Sequence, residues 1–434
     1  MTPYAPSVSP APATNPEARP RPRVHFTPDS GWINDPLAVT WHNGRYHLFF
    51  QFVPGQTEWA PGCSWGHASS ADLLSWTEHP VALEPGEGDD GLWSGSIAID
   101  DSDRPTLFYT AVTLPDLAIG RIRTATPTDD SWLTWTKGPV IARAPGAETG
   151  LDVVAFRDPF LLRDSSLAGD AGPGRWRMLV GTALRGGDAA ASSFSSDDLL
   201  TWTLDGLAAR RNTAETDPVW TGSLWECPQV FSIDGRDVLL SSVWRDDELH
   251  SVAYGIGNFT DGCFHASTWG RLSYGPSYYA PTFFRDVKGR ACLLFWLRGV
   301  LDEEAGRASA LSVPHVLSLQ GDVLVALPHP ALGEPEQSPG LSDGVEHLSW
   351  TSADTELHVA SPAPVAVRRR GGHLVIDHDD TQSLLPVGDD PVRVLVDAET
   401  LKLFTDRGVF ALGAAHPFGV VSIRPARPVS FDGV

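Results

Sequence analysis

The chain has 434 residues, 20% of them charged and 42% hydrophobic, enough to bury a large core in two domains, or in one repeat domain plus a small one. Its formal charge of 32 − 54 = −22 excludes the basic surfaces that nucleic acid and anionic membranes require, and no apolar run approaches the length of a membrane span. Four cysteines (Cys63, Cys227, Cys263, Cys292) contain no CxxC pair and are too few for a disulfide framework, so all but Cys227 read as buried small hydrophobes.

Residues 1–24 are rich in Pro, Ala and Arg and lack an apolar signal core, so a poorly ordered arm is expected. That reading makes the protein cytoplasmic unless a leader has been removed. From His25 the character changes. Trp32-Ile33-Asn34-Asp35-Pro36 leads into the strand pattern Arg45 to Phe52, which the turn signal His42-Asn43-Gly44 precedes. Further strand-like runs follow at Gly95 to Ile99, Thr106 to Ala111, Trp176 to Gly181, Val238 to Val243 and Ala291 to Leu297, with no sustained helical periodicity between them.

A repeat organises these strands. Asp72-Leu73-Leu74-Ser75-Trp76-Thr77 recurs as Asp198-Leu199-Leu200-Thr201-Trp202-Thr203, and more loosely as Ser131-Trp132-Leu133-Thr134-Trp135-Thr136. The tryptophans lie 135 − 76 = 59 and 202 − 135 = 67 residues apart. A period near sixty, with a recurrent aromatic motif, predicts about five propeller blades over 25–335. The bland reading is a common turn sequence. After a Pro/Gly-rich linker, short alternating runs at Leu357 to Ala360, Leu374 to Asp377, Val392 to Val396 and Leu401 to Phe404 predict a small β-sandwich over 345–434. The predicted class is all-β: a five-bladed β-propeller followed by a C-terminal β-sandwich.

Three acids stand in related settings: Asn34-Asp35-Pro36, Arg157-Asp158-Pro159 and Glu226-Cys227-Pro228. Asp158 follows Asp35 by 158 − 35 = 123 residues, about two blades, and Glu226 follows by 226 − 158 = 68, about one. Equivalent positions on blades face one axis, so the three can share a pocket. Retaining glycoside hydrolysis needs two carboxyl groups about 5 Å apart in different protonation states. Asp35, in a polar turn, is expected to stay ionised. Glu226, between Trp225 and Cys227, is expected to be desolvated and protonated. Arg157 is expected to hold Asp158 ionised. Each motif alone is more often a turn or a surface pair; the set carries the inference. Most of the 16 tryptophans read as blade packing, with Trp59 in a Gly/Pro-flanked loop the one expected to meet a sugar. No Walker A sequence, G-x-S-x-G elbow or H-E-x-x-H is present, and the histidines look scattered, so neither metal nor cofactor is expected.

From His25 onward the chain resembles glycoside hydrolase family 32, the invertase, inulinase and levanase group. The three acidic motifs carry the resemblance, with Ser64-Trp65-Gly66-His67-Ala68, Trp93-Ser94-Gly95-Ser96, Tyr278-Tyr279-Ala280-Pro281 and Leu401-Lys402-Leu403-Phe404. It implies Asp35 as nucleophile, Glu226 as acid/base and Asp158 as the transition-state stabiliser that binds fructosyl hydroxyls. It implies Asn34, Gln51, Trp59, Ser94 and Arg157 as subsite residues, and Cys227 as a residue that tunes the acid/base. Leu37-Ala38 depart from the family's usual Asn-Gly, and Ser277 from a common acid; both are expected at the pocket edge.

The expected activity is exo-acting release of fructose from sucrose or short fructans through a covalent fructosyl-enzyme. The rivals are a fructosyltransferase or difructose-anhydride-forming enzyme, a non-catalytic fructan-binding propeller, and an inverting arabinan-active propeller. The expected partner is a small sugar or fructan, with a homo-oligomer left open.

Overall fold

The computed structural model describes residues 20–164, 175–340 and 344–426. Most of the expected arm, part of the linker and the last eight residues of the expected sandwich lie outside these. Among the described residues there is no α-helix, and no helix able to cross a membrane.

Four-stranded antiparallel units follow one another along the chain. β1 (Gly31–His42), β2 (Arg45–Val53), β3 (Ser64–Ser70) and β4 (Trp76–Leu83) form the first. β5 (Gly91–Ile99), β6 (Pro105–Thr113), β7 (Asp116–Pro127) and β8 (Trp135–Arg143) form the second. β9 (Val153–Asp164), β10 (Arg175–Leu184), β11 (Asp188–Ser196) and β12 (Thr203–Asn212) form the third. β13 (Leu224–Ile233), β14 (Arg236–Arg245), β15 (Glu248–Thr260) and β16 (Cys263–Arg271) form the fourth. After the two-residue β17 (Ser273–Tyr274), the fifth unit comprises β18 (Tyr278–Arg285), β19 (Ala291–Asp302), β20 (Arg307–Leu311), β21 (His315–Gln320) and β22 (Val323–Pro328).

The first strand of each unit is innermost. β1 contacts β5, β5 contacts β9, β9 contacts β13, β13 contacts β18 and β18 contacts β1, so the inner strands make a ring. β20 fastens the ring by pairing with β19 on one side and with β1 on the other, Gly31 opposite Arg307 and Trp32 opposite Ala308. This is a five-bladed β-propeller. Blade-to-blade cores are apolar, as alternating strands buried on both faces require.

The repeated tryptophan motif is a turn, and it occupies one place in three blades: it leads into the outermost strand. Leu73, Trp132 and Leu199 take left-handed backbone (φ 71°, 58° and 64°). Each carbonyl receives the indole N–H three residues on, from Trp76, Trp135 and Trp202. Asp72 and Asp198 accept two backbone N–H groups each, closing the turn as Asx motifs do.

The tail forms a β-sandwich. One sheet orders β17, β30 (Gly408–Gly413), β29 (Thr400–Thr405), β28 (Val392–Asp397) and β23 (Val345–Trp350). The other orders β27 (Thr381–Pro386), β26 (His373–His378), β25 (Val365–Arg370), β24 (Thr355–Val359) and β31 (Val421–Pro425). β17, inside the span expected for the propeller, is an edge strand of the first sheet. Residues 20–24 are also tied in: the amides of Arg23 and Val24 donate to Asp397, and His25 Nδ1 lies 2.6 Å from the same carboxylate.

Two composition-based expectations are corrected. Cys263 is exposed, not buried, because it opens the outer strand β16. Nor are the histidines all scattered. His47 stacks on His67 and His67 lies beside His79, while His42 stacks on Trp132, since alternate residues of β2 and β3 share a blade face.

Gly95 shows how little slack an inner strand has. A Cβ there would sit 1.9 Å from the Phe108 carbonyl oxygen. Gly95→Ala is expected to cost about 3 kcal/mol or more, because backbone must move to admit it. Denaturant unfolding checks this, and a loss below about 1 kcal/mol contradicts the packing described.

Candidate active site

All five inner strands carry one residue too many at the same level. In β1, Asn34 and Asp35 together face Gln51, between the pairs Ile33–Phe52 and Pro36–Phe50. In β5, Ser94 is the extra residue between Trp93–Thr110 and Gly95–Tyr109. In β9 it is Asp158, between Arg157–Gly181 and Pro159–Val180. In β13, Cys227 and Pro228 together face Ser241; in β18, Ala280 and Pro281 face Phe295. These are β-bulges, and a bulge re-aims the side chains around it. Proline follows the extra residue in four of the five strands and glycine in the fifth. Proline has no N–H to give the ladder and suits the interruption. Asp158, Cys227 and Ala280 adopt left-handed backbone there (φ 67°, 48° and 40°).

Two tiers of five residues result. The tier of extra residues is Asp35, Ser94, Asp158, Cys227 and Ala280; the tier before it is Asn34, Trp93, Arg157, Glu226 and Tyr279. The three sequence-predicted acids therefore converge on the axis, Asp35 and Asp158 in one tier and Glu226 in the other.

Asp35 is held from several sides. Ser94 Oγ donates to its Oδ2 at 2.5 Å, Gln51 Nε2 to Oδ2 at 3.2 Å, and Asn34 Nδ2 to Oδ1 at 3.1 Å. Cys227 Sγ lies 3.7 Å from Oδ2. Asp158 is buried, and its Oδ2 accepts the Cys227 amide at 3.0 Å. Glu226 accepts from Arg157 Nη2 at 2.8 Å and from the Tyr279 hydroxyl at 2.7 Å. The Arg157 guanidinium is flanked by Trp93 and Trp244, 5.6 Å from each ring centroid. Trp59, 47% exposed, meets Trp93 edge on at 5.9 Å, so it stands at the rim of this wall.

Burial sets the proton affinities of the two aspartates. Asp35 belongs to a strand facing the channel, not to an open polar turn. Burial pushes its carboxyl up to about 6, against the Ser94 hydrogen bond, with the charge of Glu226 adding. Burial pushes Asp158 up to about 7, because it outweighs the opposing Arg157, and Glu226 and Asp35 add to it. Arg157 points its donor at Glu226 and acts on Asp158 through its charge alone, which favours the ionised form but is outweighed by burial. Trp225, expected to shield Glu226, packs in the blade core against Trp269. Cys227 bonds to Asp35 and Asp158 rather than to Glu226, and burial raises its thiol well above the usual range.

Below the carboxylates the channel closes to a void of about 20 Å³ among Pro36, Leu37, Ser94, Asp158 and Cys227. Leu37 thus forms part of the floor, and Ala38 lines a separate cavity of about 460 Å³ at the far end of the propeller. Ser277 is not at the pocket edge: it is buried and accepts the Gly413 amide of the sandwich. Tyr279, Trp93 and Trp244 join the site through contacts that their sequence motifs do not announce. Tyr279 and Trp93 stand at the phase of Arg157 and Glu226 in their own strands, two residues before the proline or its glycine equivalent. Among the described residues one group has metal-cage spacing, Asp286, Cys292 and His329, at the far end of β18. Arg290 already fills it, 2.5 Å from Asp286 and 3.0 Å from His329.

Residues 25–328 match the sequence profile of the glycosyl hydrolases family 32 N-terminal domain. The chain is 28% identical to a fructan 6-exohydrolase of Beta vulgaris over 344 residues, covering 71% of this chain and 54% of the relative. It is 30% identical to the sucrose-6-phosphate hydrolase of Bacillus subtilis over 332 residues, covering 72% and 66%. It thus spans about half to two thirds of the length of these relatives. Among solved structures, a variant of the Bombyx mori family 32 beta-fructofuranosidase in complex with sucrose superposes with a TM-score of 0.75 at 21% identity, covering 93% of each chain. The chain belongs to glycoside hydrolase family 32.

Two carboxyls with raised proton affinity, Asp158 buried and Asp35 half-buried, burden the fold near neutrality. Between about pH 4 and 7 the unfolded chain has released protons that folded Asp35 and Asp158 keep, so this contribution makes stability fall as pH rises through that window. Asp35→Asn is expected to raise unfolding free energy at about pH 8 by roughly 1–3 kcal/mol, with the gain fading near pH 4. Denaturant melts at the two pH values check it; an unchanged or lower stability at pH 8 contradicts the charge state.

Proposed function

We propose that the protein is a retaining, exo-acting β-fructofuranosidase that releases fructose from sucrose or short fructans. The observation that carries the reading is the convergence of Asp35, Asp158 and Glu226 on one axis, with Asp35 Oδ2 held by Ser94 and Gln51. The family membership and the relatives named for fructan and sucrose-phosphate hydrolysis support the substrate class.

In this reading Asp35 attacks the anomeric carbon of the fructosyl unit, and Glu226 gives a proton to the departing oxygen. The bond from anomeric carbon to leaving oxygen breaks as the carboxylate–carbon bond forms. Glu226, now ionised, then takes a proton from water, whose oxygen displaces Asp35 and frees fructose. Asp158 accepts hydrogen bonds from sugar hydroxyls and offsets the positive charge that builds on the ring. Ser94, Gln51 and Asn34 fix the nucleophile's lone pairs before substrate arrives, so little reorganisation is needed during attack. Arg157 and Tyr279 place the Glu226 carboxyl. The void beneath has room for about one water, so the fructosyl unit is held above it, against the three acids.

Asp35→Asn and Glu226→Gln are each expected to cut turnover on sucrose by about 10³-fold or more while folding normally. Proton NMR of the first product should show the substrate's anomeric configuration retained. Near-normal turnover in either variant, or an inverted product, contradicts the assignment.

Attack requires Asp35 without its proton, so kcat/KM should fall as pH drops through about 6 to 7, the range to which Asp35 and Asp158 are raised. Ser94→Ala removes a bond that favours the carboxylate and should move this acid limb to higher pH. A limb that stays put or moves down in the pH–rate profile contradicts the role given to Ser94.

A further inference from the structure

The fourth blade carries Glu226 near the start of its inner strand, and the segments that flank that end of the blade are its loop 213–223 and its β14–β15 turn. Leu224 pairs with Trp244, and Arg245 pairs with Glu248, so loop 213–223 and the β14–β15 turn rise from the same end of the blade as Glu226. Trp220 is pinned on that loop, its indole N–H donating to the carbonyl and hydroxyl of Thr213, both at 3.1 Å. Its ring meets His250 edge on, with centroids 4.9 Å apart at 88°. Both side chains remain partly exposed.

The neighbourhood connects to Glu226 by two routes. Trp244 lies against Arg157, which donates to Glu226. The carbonyl of Leu249, next to His250, accepts from Arg298, which lies over the Tyr279 ring, and Tyr279 donates to Glu226. A fixed ring pair of this kind offers an apolar face for sugar C–H groups and an edge for hydroxyls.

The charge on the same segments is one-sided. Glu215 and Asp217 lie on the loop, and Asp246, Asp247 and Glu248 at the turn. The arginines here are already engaged. Arg210 faces Asp188, Arg211 donates to the carbonyls of Val219 and Asp217, and Arg245 donates to Asp246. Recognition of a phosphate favours arginine or lysine donors, and on these segments acids outnumber them, with each of the three arginines lying against an acid or a carbonyl.

We propose that Trp220 and His250 form a leaving-group platform for a neutral sugar, and that the acidic wall around them disfavours phosphorylated sucrose. The inference rests on the glycosidase reading and adds to it the residues that receive the leaving group and the basis for rejecting a phosphorylated one. It separates two substrate types for which the relatives are named.

The test compares kcat/KM on sucrose, sucrose 6-phosphate and the neutral trisaccharide 1-kestose, at about 20 mM and about 500 mM salt. Sucrose 6-phosphate should lie about tenfold or more below sucrose at low salt, with the gap narrowing at high salt. Trp220→Ala should raise KM for 1-kestose severalfold more than it lowers kcat, and Asp247→Lys should shift the ratio toward the phosphorylated sugar. Circular dichroism confirms that the variants fold. Equal or better cleavage of sucrose 6-phosphate, or a Trp220→Ala enzyme with wild-type KM for 1-kestose, overturns the proposal. Failure to release fructose from any of the three overturns the glycosidase reading instead.

Discussion

One surplus residue in each inner strand is the constraint on which the site depends. A regular strand alternates its side chains between faces and gives each backbone group a ladder partner. The bulges interrupt that alternation at one height in five strands, and so deliver two tiers of side chains to a common axis. Prolines 36, 159, 228 and 281 fit the interruption because they have no N–H to lose, and Gly95 fills the fifth place where backbone approaches too closely for a side chain. Distant acids meet because the interruption is repeated, and no local sequence context could achieve that alone.

The tiers divide the labour. Asp35, Asp158 and the Cys227 amide and thiol form one connected layer, in which the Asp35 oxygens are already engaged by donors. Glu226, Arg157 and Tyr279 form a second layer joined by an ion pair and a hydroxyl. Burying carboxyls this close raises the proton affinity of Asp35 and Asp158, which is unfavourable for the fold near neutral pH. The apolar cores between blades and the packing against the sandwich carry that load.

Much of this was legible in the sequence, for identifiable reasons. Blade number followed from the tryptophan turn, whose indole-to-carbonyl bond is local and so leaves a fixed spacing. The three acids were legible because each precedes a proline by one or two residues. Tyr279 follows the same phase and could have been found by that rule. What was not legible depended on direction in space. Arg157 turns to Glu226 rather than to its sequence neighbour Asp158, and Trp225 turns inward. Ser277 faces the sandwich, and β17 joins it, contacts set by packing between elements over a hundred residues apart.

The most direct test of the account is where the sugar becomes attached. Enzyme turning over a β-fructoside, quenched in acid and digested, should carry one fructosyl group on the peptide that contains Asp35, as peptide mass spectrometry would show. Attachment to the peptide containing Asp158 or Glu226 would contradict the arrangement described. So would an enzyme that turns over without any adduct and inverts the anomeric centre.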